Sequence, residues 1–180
     1  VTIHDDAVYE QNETLALNLQ TASGVTIGTE DKHTLTITDD EIQPTVDFNI
    51  VTDSITESVT TRSVQVDISG ASELGTSIQY TAGAGTVEAA DYDLVADPGT
   101  ISFTAYATGK QTFVVTINDD SIFAGSEYLR LDLQAANGLT IGTDNQHTLN
   151  ITDDDSEPTV QFTANASSIN EAESTITIQA

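Results

Sequence analysis

Apolar and polar residues alternate along much of this chain with a period of two. "TVDFNI" puts Val46, Phe48 and Ile50 on one face of an extended segment, and "SVQVDI" does the same with Val64, Val66 and Ile68. The pattern returns at 77–81 with Ile78 and Tyr80, at 100–104 with Ile101 and Phe103, and at 112–117 with Phe113, Val115 and Ile117. Two further segments follow, 127–134 with Leu129, Leu131 and Leu133, and 147–152 with Leu149 and Ile151. Successive side chains of a strand point to opposite faces, so each segment offers one apolar face to a core and one polar face to water. No stretch sustains the 3.6-residue period of an amphipathic helix, and Gly, Asn and Asp turns separate the segments. Seven such strands in about 110 residues predict an all-β fold, an antiparallel β-sandwich with an immunoglobulin-like layout.

A long-range repeat sets the domain organisation. Asp39 and Asp153, Pro44 and Pro158, and His33 and His147 are each 114 residues apart. "GVTIGTEDKHTLTITDDEIQPTVDF" therefore lies over "GLTIGTDNQHTLNITDDDSEPTVQF" without a gap. A constant register of this kind marks tandem units of one length. The chain divides into the second half of one unit (1–43), a complete unit (44–157) and the start of a third (158–180). Residues 1–43 lack the counterpart of 67–114, so Leu15, Leu17 and Leu19 are expected to find their opposing sheet in another copy of the unit.

Composition narrows the partners. With 29 acidic against 4 basic residues the net charge is −25, which disfavours nucleic acid and anionic membranes, since both require a basic surface. Cations are the natural counterparts. No apolar run approaches the roughly 18 residues of a bilayer span. The absence of cysteine removes disulfides and thiolate metal sites. No targeting segment is visible, and the expected setting is a secreted, cell-surface protein built of repeats.

The carboxylates are crowded at fixed places: "INDD" at 117–120, "ITDD" at 37–40 and "ITDDD" at 151–155. Two like charges about 4 Å apart repel by roughly 1 kcal/mol in water, and more where solvent is partly excluded. With the strands lettered A to G and alternating in direction, Glu57 falls between A and B and Asp91 between C and D. Asp119 and Asp120 end strand E, and Asp153, Asp154 and Asp155 end strand G. All four clusters then lie at one pole of the sandwich, whereas solvated acidic loop tips would scatter over both. Oxygen donors without His or Cys among them select Ca²⁺.

"TINDDSIFAGSEYLRLDLQ", "TLNITDDDSEPTVQF", "ADYDLV" and "GTISFTAYATGKQTFVVTI" together resemble the Calx-beta domain, over the whole of 44–157 and, by register, in both flanking pieces. The resemblance implies a seven-stranded sandwich that binds several Ca²⁺ ions at one pole. It implies ligands at Glu57, Asp91, Asp119, Asp120 and Asp153–Asp155. Through the repeat it extends to Asp5, Asp6, Glu10, Asp39, Asp40 and Glu41 of the preceding unit and to Glu171 of the next. One position departs: Glu10 of "HDDAVYEQNE" is replaced by Ala124 in "NDDSIFAGSE", which predicts one ion fewer, or a looser one, in the complete unit. Glu127 and its counterpart Glu13 fit a structural strand start.

Other signals are thin. His4, His33 and His147 are isolated and read as surface residues beside strands; no Ser–His–acid arrangement is suggested, and no enzyme is expected. "AGAGT" (82–86) reads as a flexible connection, because no Lys or helix follows it. Three functions suit the chain. The first is a calcium-binding structural repeat of a long extracellular protein, an adhesin or surface fibre whose partners are neighbouring repeats or chains and an adhesion target. The second is a Ca²⁺-sensing module as in sodium/calcium exchangers. The third is a Ca²⁺-dependent accessory module of a secreted enzyme. Near-identical units and the short join "DDDSEP" favour the first.

Overall fold

The computed structural model describes residues 1–21, 23–173 and 175–180. Strands β1 (Val8–Tyr9), β2 (Glu13–Asn18) and β3 (Lys32–Ile37) belong to the first partial unit. The complete unit contributes β4 (Thr45–Phe48), β5 (Thr52–Thr56), β6 (Thr61–Ile68), β7 (Ala71–Ser72), β8 (Thr76–Ala82), β9 (Tyr92–Leu94) and β10 (Gly99–Phe103). It closes with β11 (Gly109–Ile117), β12 (Glu127–Asn137), β13 (Thr140–Ile141) and β14 (Gln146–Thr152). One five-stranded sheet runs β10-β8-β12-β14-β5 and the other β13-β4-β6-β11-β9. The two sheets pack as a sandwich.

The period-two segments supply the core. Val46, Val66, Ile78, Val115, Leu129, Leu131 and Leu149 are essentially inaccessible, and the rings of Tyr80 and Phe113 stack between the sheets at 3.8 Å. Each such side chain contributes about 1.5–3 kcal/mol on burial. Among the described residues every buried apolar residue lies between Pro44 and Ile151, so the complete unit carries its own core.

Strand A departs from the expected single strand. The chain breaks at 49–51: β4 pairs antiparallel with β6, and β5 crosses to pair parallel with β14 in the opposite sheet. Ile50, expected to face inward, stands 53% exposed at the crossing, and Ile55 of β5 enters the core instead. The same crossing corrects the reading of His147 as a surface residue. His147 is 2% exposed, and its Nδ1 donates to the Ile50 carbonyl at 2.6 Å, fastening the crossing to β14.

The 82–86 connection is likewise held rather than loose. Gly83 N–H donates to the Arg130 carbonyl at 2.7 Å and Thr86 N–H to that of Tyr128 at 3.0 Å. A Cβ on Gly85 would meet the Tyr128 carbonyl oxygen at 2.5 Å, so this glycine is there for close backbone approach. Strands β9 and β13 are too short to show a period in the sequence.

In the first partial unit β2 and β3 form an antiparallel hairpin, Leu15 opposite Leu35. β1 pairs parallel with β7 of the complete unit, Val8 opposite Ala71 and Tyr9 opposite Ser72. Residues 158–180 form no strand among those described; Thr163 N–H donates to the Gln179 carbonyl at 3.0 Å.

Candidate metal centre

Backbone hydrogen bonds pull the acidic loops of the complete unit together. Glu57 N–H, just past β5, donates to the Thr152 carbonyl at the end of β14 at 3.0 Å, and Ser58 N–H reaches Asp154 Oδ1 at 3.3 Å. After β11, Asn118 N–H donates to the Asp91 carbonyl at 2.8 Å, and its Nδ2 donates to that of Ala90 at 2.8 Å. Asp153 Oδ2 accepts from the amides of Ala124 at 2.6 Å and Gly125 at 2.7 Å, while its Oδ1 accepts from Asp155 N–H at 2.8 Å. The A–B, C–D and E–F loops and the exit of the last strand are thus tied to one another.

Their charges are correspondingly coupled. Loss of surrounding water, then the charges of Asp120, Asp153, Asp119 and Asp155, raise the pKa of Glu57. Asp155 is raised by the same loss of water and by Asp153, Asp154, Asp120 and Asp119. Asp153 alone moves down: the amides of Asp155 and Gly125, followed by that of Ala124, favour its ionised form and outweigh desolvation. Asp153 therefore acts as a bracket, with both oxygens engaged by backbone, while its neighbours are left repelling one another.

No protein cation relieves that repulsion among the described residues. Arg62 pairs with Asp53, Arg130 with Asp132 at 3.0 Å and Lys110 with Asp67 at 3.7 Å. Lys32, the last of the four basic residues, lies in β3 of the partial unit. The donors at the pole are carboxylate oxygens without nitrogen or sulfur, a set that fits a hard divalent cation such as Ca²⁺.

The partial unit assembles a second cluster from only three short strands. One carboxylate oxygen from each of Asp5, Asp40 and Glu41 lies within 4.8 Å of the others. They line a cleft of about 190 Å³ together with Asp6, Glu10 and Asp39. Asp39 Oδ2 accepts from Glu10 N–H at 3.0 Å, the same bracket that Asp153 provides at Ala124. Glu41 is raised by its hydrogen bond to Asp39, then by desolvation and the charges of Asp40, Asp39 and Asp5. Glu10 is raised by desolvation, Asp6, and Glu73 of the complete unit.

Two acids sit at the pole that the sequence reading left out of the site. Glu127 opens β12, and it is raised by desolvation and by Asp91, Glu88 and Asp153, which sets it against the same cluster. Its recurrence as Glu13 was the available signal; Glu88 has no repeated counterpart in the chain and gave none. Asp91 joins through this group, and its Oδ2 also accepts from Glu88 N–H at 2.6 Å. Asp120 Oδ1 accepts from Ile122 N–H at 2.6 Å. Glu171 is not brought to the others: among the described residues no hydrogen bond or carboxylate grouping joins it to another acid.

Fold and pole define a class, a two-sheet β-sandwich with acidic loops gathered at one end. The chain belongs to the Calx-beta domain family, which matches residues 1–41 and 39–155. Among solved structures it is similar to the apo form of the Calx CBD1 domain, with 24% identity and a TM-score of 0.57 over 63% of this chain and 100% of that one. CBD12 from CALX1.2 is similar with 25% identity and a TM-score of 0.56, over 62% of this chain and 44% of that one. The calcium binding domain CBD12 of CALX1.1 matches at 24% identity and a TM-score of 0.54, over 61% and 46%. This chain thus spans less than half of both CBD12 structures. No curated protein matches the sequence. Among the described residues no helix is long and apolar enough to cross a membrane.

Proposed function

We propose that this chain is a calcium-binding structural segment of a long extracellular protein, several Ca²⁺ ions at the pole of each unit stabilising the sandwich and stiffening the junctions. The observation that carries the metal reading is the approach of Asp5, Asp40 and Glu41 to within 4.8 Å of one another, beside the hydrogen bonds that draw the acidic loops of Glu57, Asp91 and Asp153 together in the complete unit. Likeness to a protein described as a calcium binding domain supports it. The stalk reading rests on the repeat and on the join. Asp153–Asp155 belong to the cluster, and only Ser156 and Glu157 separate them from Pro158. An ion held there fixes the direction in which the chain leaves the unit.

Small-angle scattering of a protein with several units, in calcium and in chelator, tests the stalk reading. A rod in calcium that becomes a shorter, bent ensemble in chelator is expected. Equal maximum dimensions would discard the stiffening role and leave metal binding standing. A sensor, the second reading, is favoured by the coupling of Glu10 to Glu73 across the junction; it predicts a discrete change of angle between units on binding, not a general loss of stiffness.

A further inference from the structure

Val8 and Tyr9 lie in the loop between the fifth and sixth strands of their unit, and Ile122 and Phe123 are their counterparts 114 residues on. Identical places in the repeat have different surroundings. Val8 and Tyr9 are half-buried and form β1, because β7 of the complete unit lies beside them. Glu73 N–H adds a hydrogen bond to the Tyr9 carbonyl at 3.0 Å. Ile122 and Phe123 are 69% and 43% exposed and adopt no strand. An adjacent pair of large apolar residues on a loop tip gains nothing from water, and although Asp120 Oδ1 holds the Ile122 N–H at 2.6 Å, Asp6 Oδ1 holds the Val8 N–H in the same way at 2.8 Å and β1 still pairs with its edge.

We infer that Ile122–Phe123 is the docking edge for a further copy of this unit, received by that copy's equivalent of Ala71–Glu73 through a two-residue parallel β-bridge. The occupant follows from the junction already present: β1 on β7 is the same pair of surfaces, one unit earlier. Residues 158–180 repeat 44–66, the opening segment of such a copy, in the same register. Ser72 is suited to receive the edge, since it is 7% exposed and its carbonyl is already held by Tyr106 N–H at 2.7 Å. The coming junction differs from the first in one respect. Glu10 confronts Glu73 in the first, whereas Ala124 would stand opposite the second, so one like-charge contact is absent there. The inference rests on the repeat and is independent of the metal.

The test uses the chain with one additional unit, residues 1–157 followed by 44–180, which contains no native cysteine. Ile122→Cys in the first complete copy is combined with Ala71→Cys in the second, and disulfide yield is measured under mild oxidation. Val8→Cys with Ala71→Cys of the first copy is the positive control. Val95→Cys, at a site 88% exposed, combined with Ala71→Cys of the second copy, is the background. Yield equal to the positive control and at least about tenfold above background is expected. Yield at background overturns the inference, and so does failure of the Val8–Ala71 pair, whose contact is its premise. Melting of the same protein in calcium and in chelator reads the metal sites separately, so loss of linking with an intact calcium response discards the docking edge alone.

Discussion

The chain presents the same sixth and last strands twice, once alone and once inside a sandwich. Leu129 and Leu131 are 1% and 0% exposed, while their counterparts Leu15 and Leu17 are 36% and 41% exposed. The acidic loops behave differently. Asp5, Asp40 and Glu41 gather within 4.8 Å with no second sheet behind them, whereas among the described residues no three carboxylates of the complete unit come so close; there the acidic loops are joined through backbone hydrogen bonds. Core formation is a long-range property here and the acidic pole largely a local one. A hairpin, a bracketing aspartate and a short turn suffice to place the carboxylates; a second sheet is needed to bury the leucines.

The largest expected effect separates those two statements. Leu131→Ala should cost about 2–5 kcal/mol in urea unfolding, since it leaves a cavity in a filled core. Leu17→Ala in the same chain should cost less than about 0.5 kcal/mol, as for an exposed site. Equal costs would mean that the partial unit has found its opposing sheet in solution, as would happen if another chain completes it. Next comes Gly85→Ala, expected to cost about 1–3 kcal/mol because the new methyl overlaps the Tyr128 carbonyl. A neutral result would return 82–86 to the flexible connection expected from its sequence.

Glu57→Gln should abolish much of the calcium-dependent rise in melting temperature of the complete unit, and in chelator it should stabilise slightly by removing one repelling charge. Glu41→Gln alters only the partial unit's cluster and should leave that response in place. Protons should act on the metal-free chain in the same sense. Glu10, Glu41, Glu57, Glu127 and Asp155 are all raised in the fold. The stability associated with a raised acid is complete below its unfolded value, 4.5 for glutamate, and is lost as pH rises through the folded value. Metal-free protein should therefore gain stability on acidification from pH 7 to about pH 5. Asp153, which is lowered, opposes this only below its ordinary 3.8. A flat or falling profile over that range would contradict the placement of the carboxylates. The smallest effect is that of Ala124→Glu, which restores the residue present at Glu10; calorimetric titration should show tighter or additional binding, and an unchanged isotherm would remove Glu10 from the ligand set.

The sandwich was legible because its core segments alternate cleanly, and the converging loops because strand direction alternates as well. What was hidden has physical causes. The A strand looked continuous because Val46, Phe48 and Ile50 keep the period, although the chain changes sheets between them; the period cannot register a crossing whose partner, Ile55, lies five residues further on. His147 looked like a surface residue because its partner, the Ile50 carbonyl, is a backbone group with no trace in side-chain chemistry. Gly83 and Gly85 looked mobile, since composition does not reveal that a glycine is needed for contact. At the pole, Glu127 was masked by its role as the first residue of β12, and only its surroundings reveal the second one.

The central claim is that calcium relieves the repulsion gathered at the pole. Thermal unfolding of residues 1–180 in calcium and in EGTA at matched ionic strength tests it most directly. A ligand bound only by the folded state stabilises by about 2.7 kcal/mol per site at one hundred times its dissociation constant. The melting temperature should rise with calcium concentration, well beyond the effect of the same ionic strength of sodium chloride. Superimposable curves in calcium, EGTA and salt would contradict the claim.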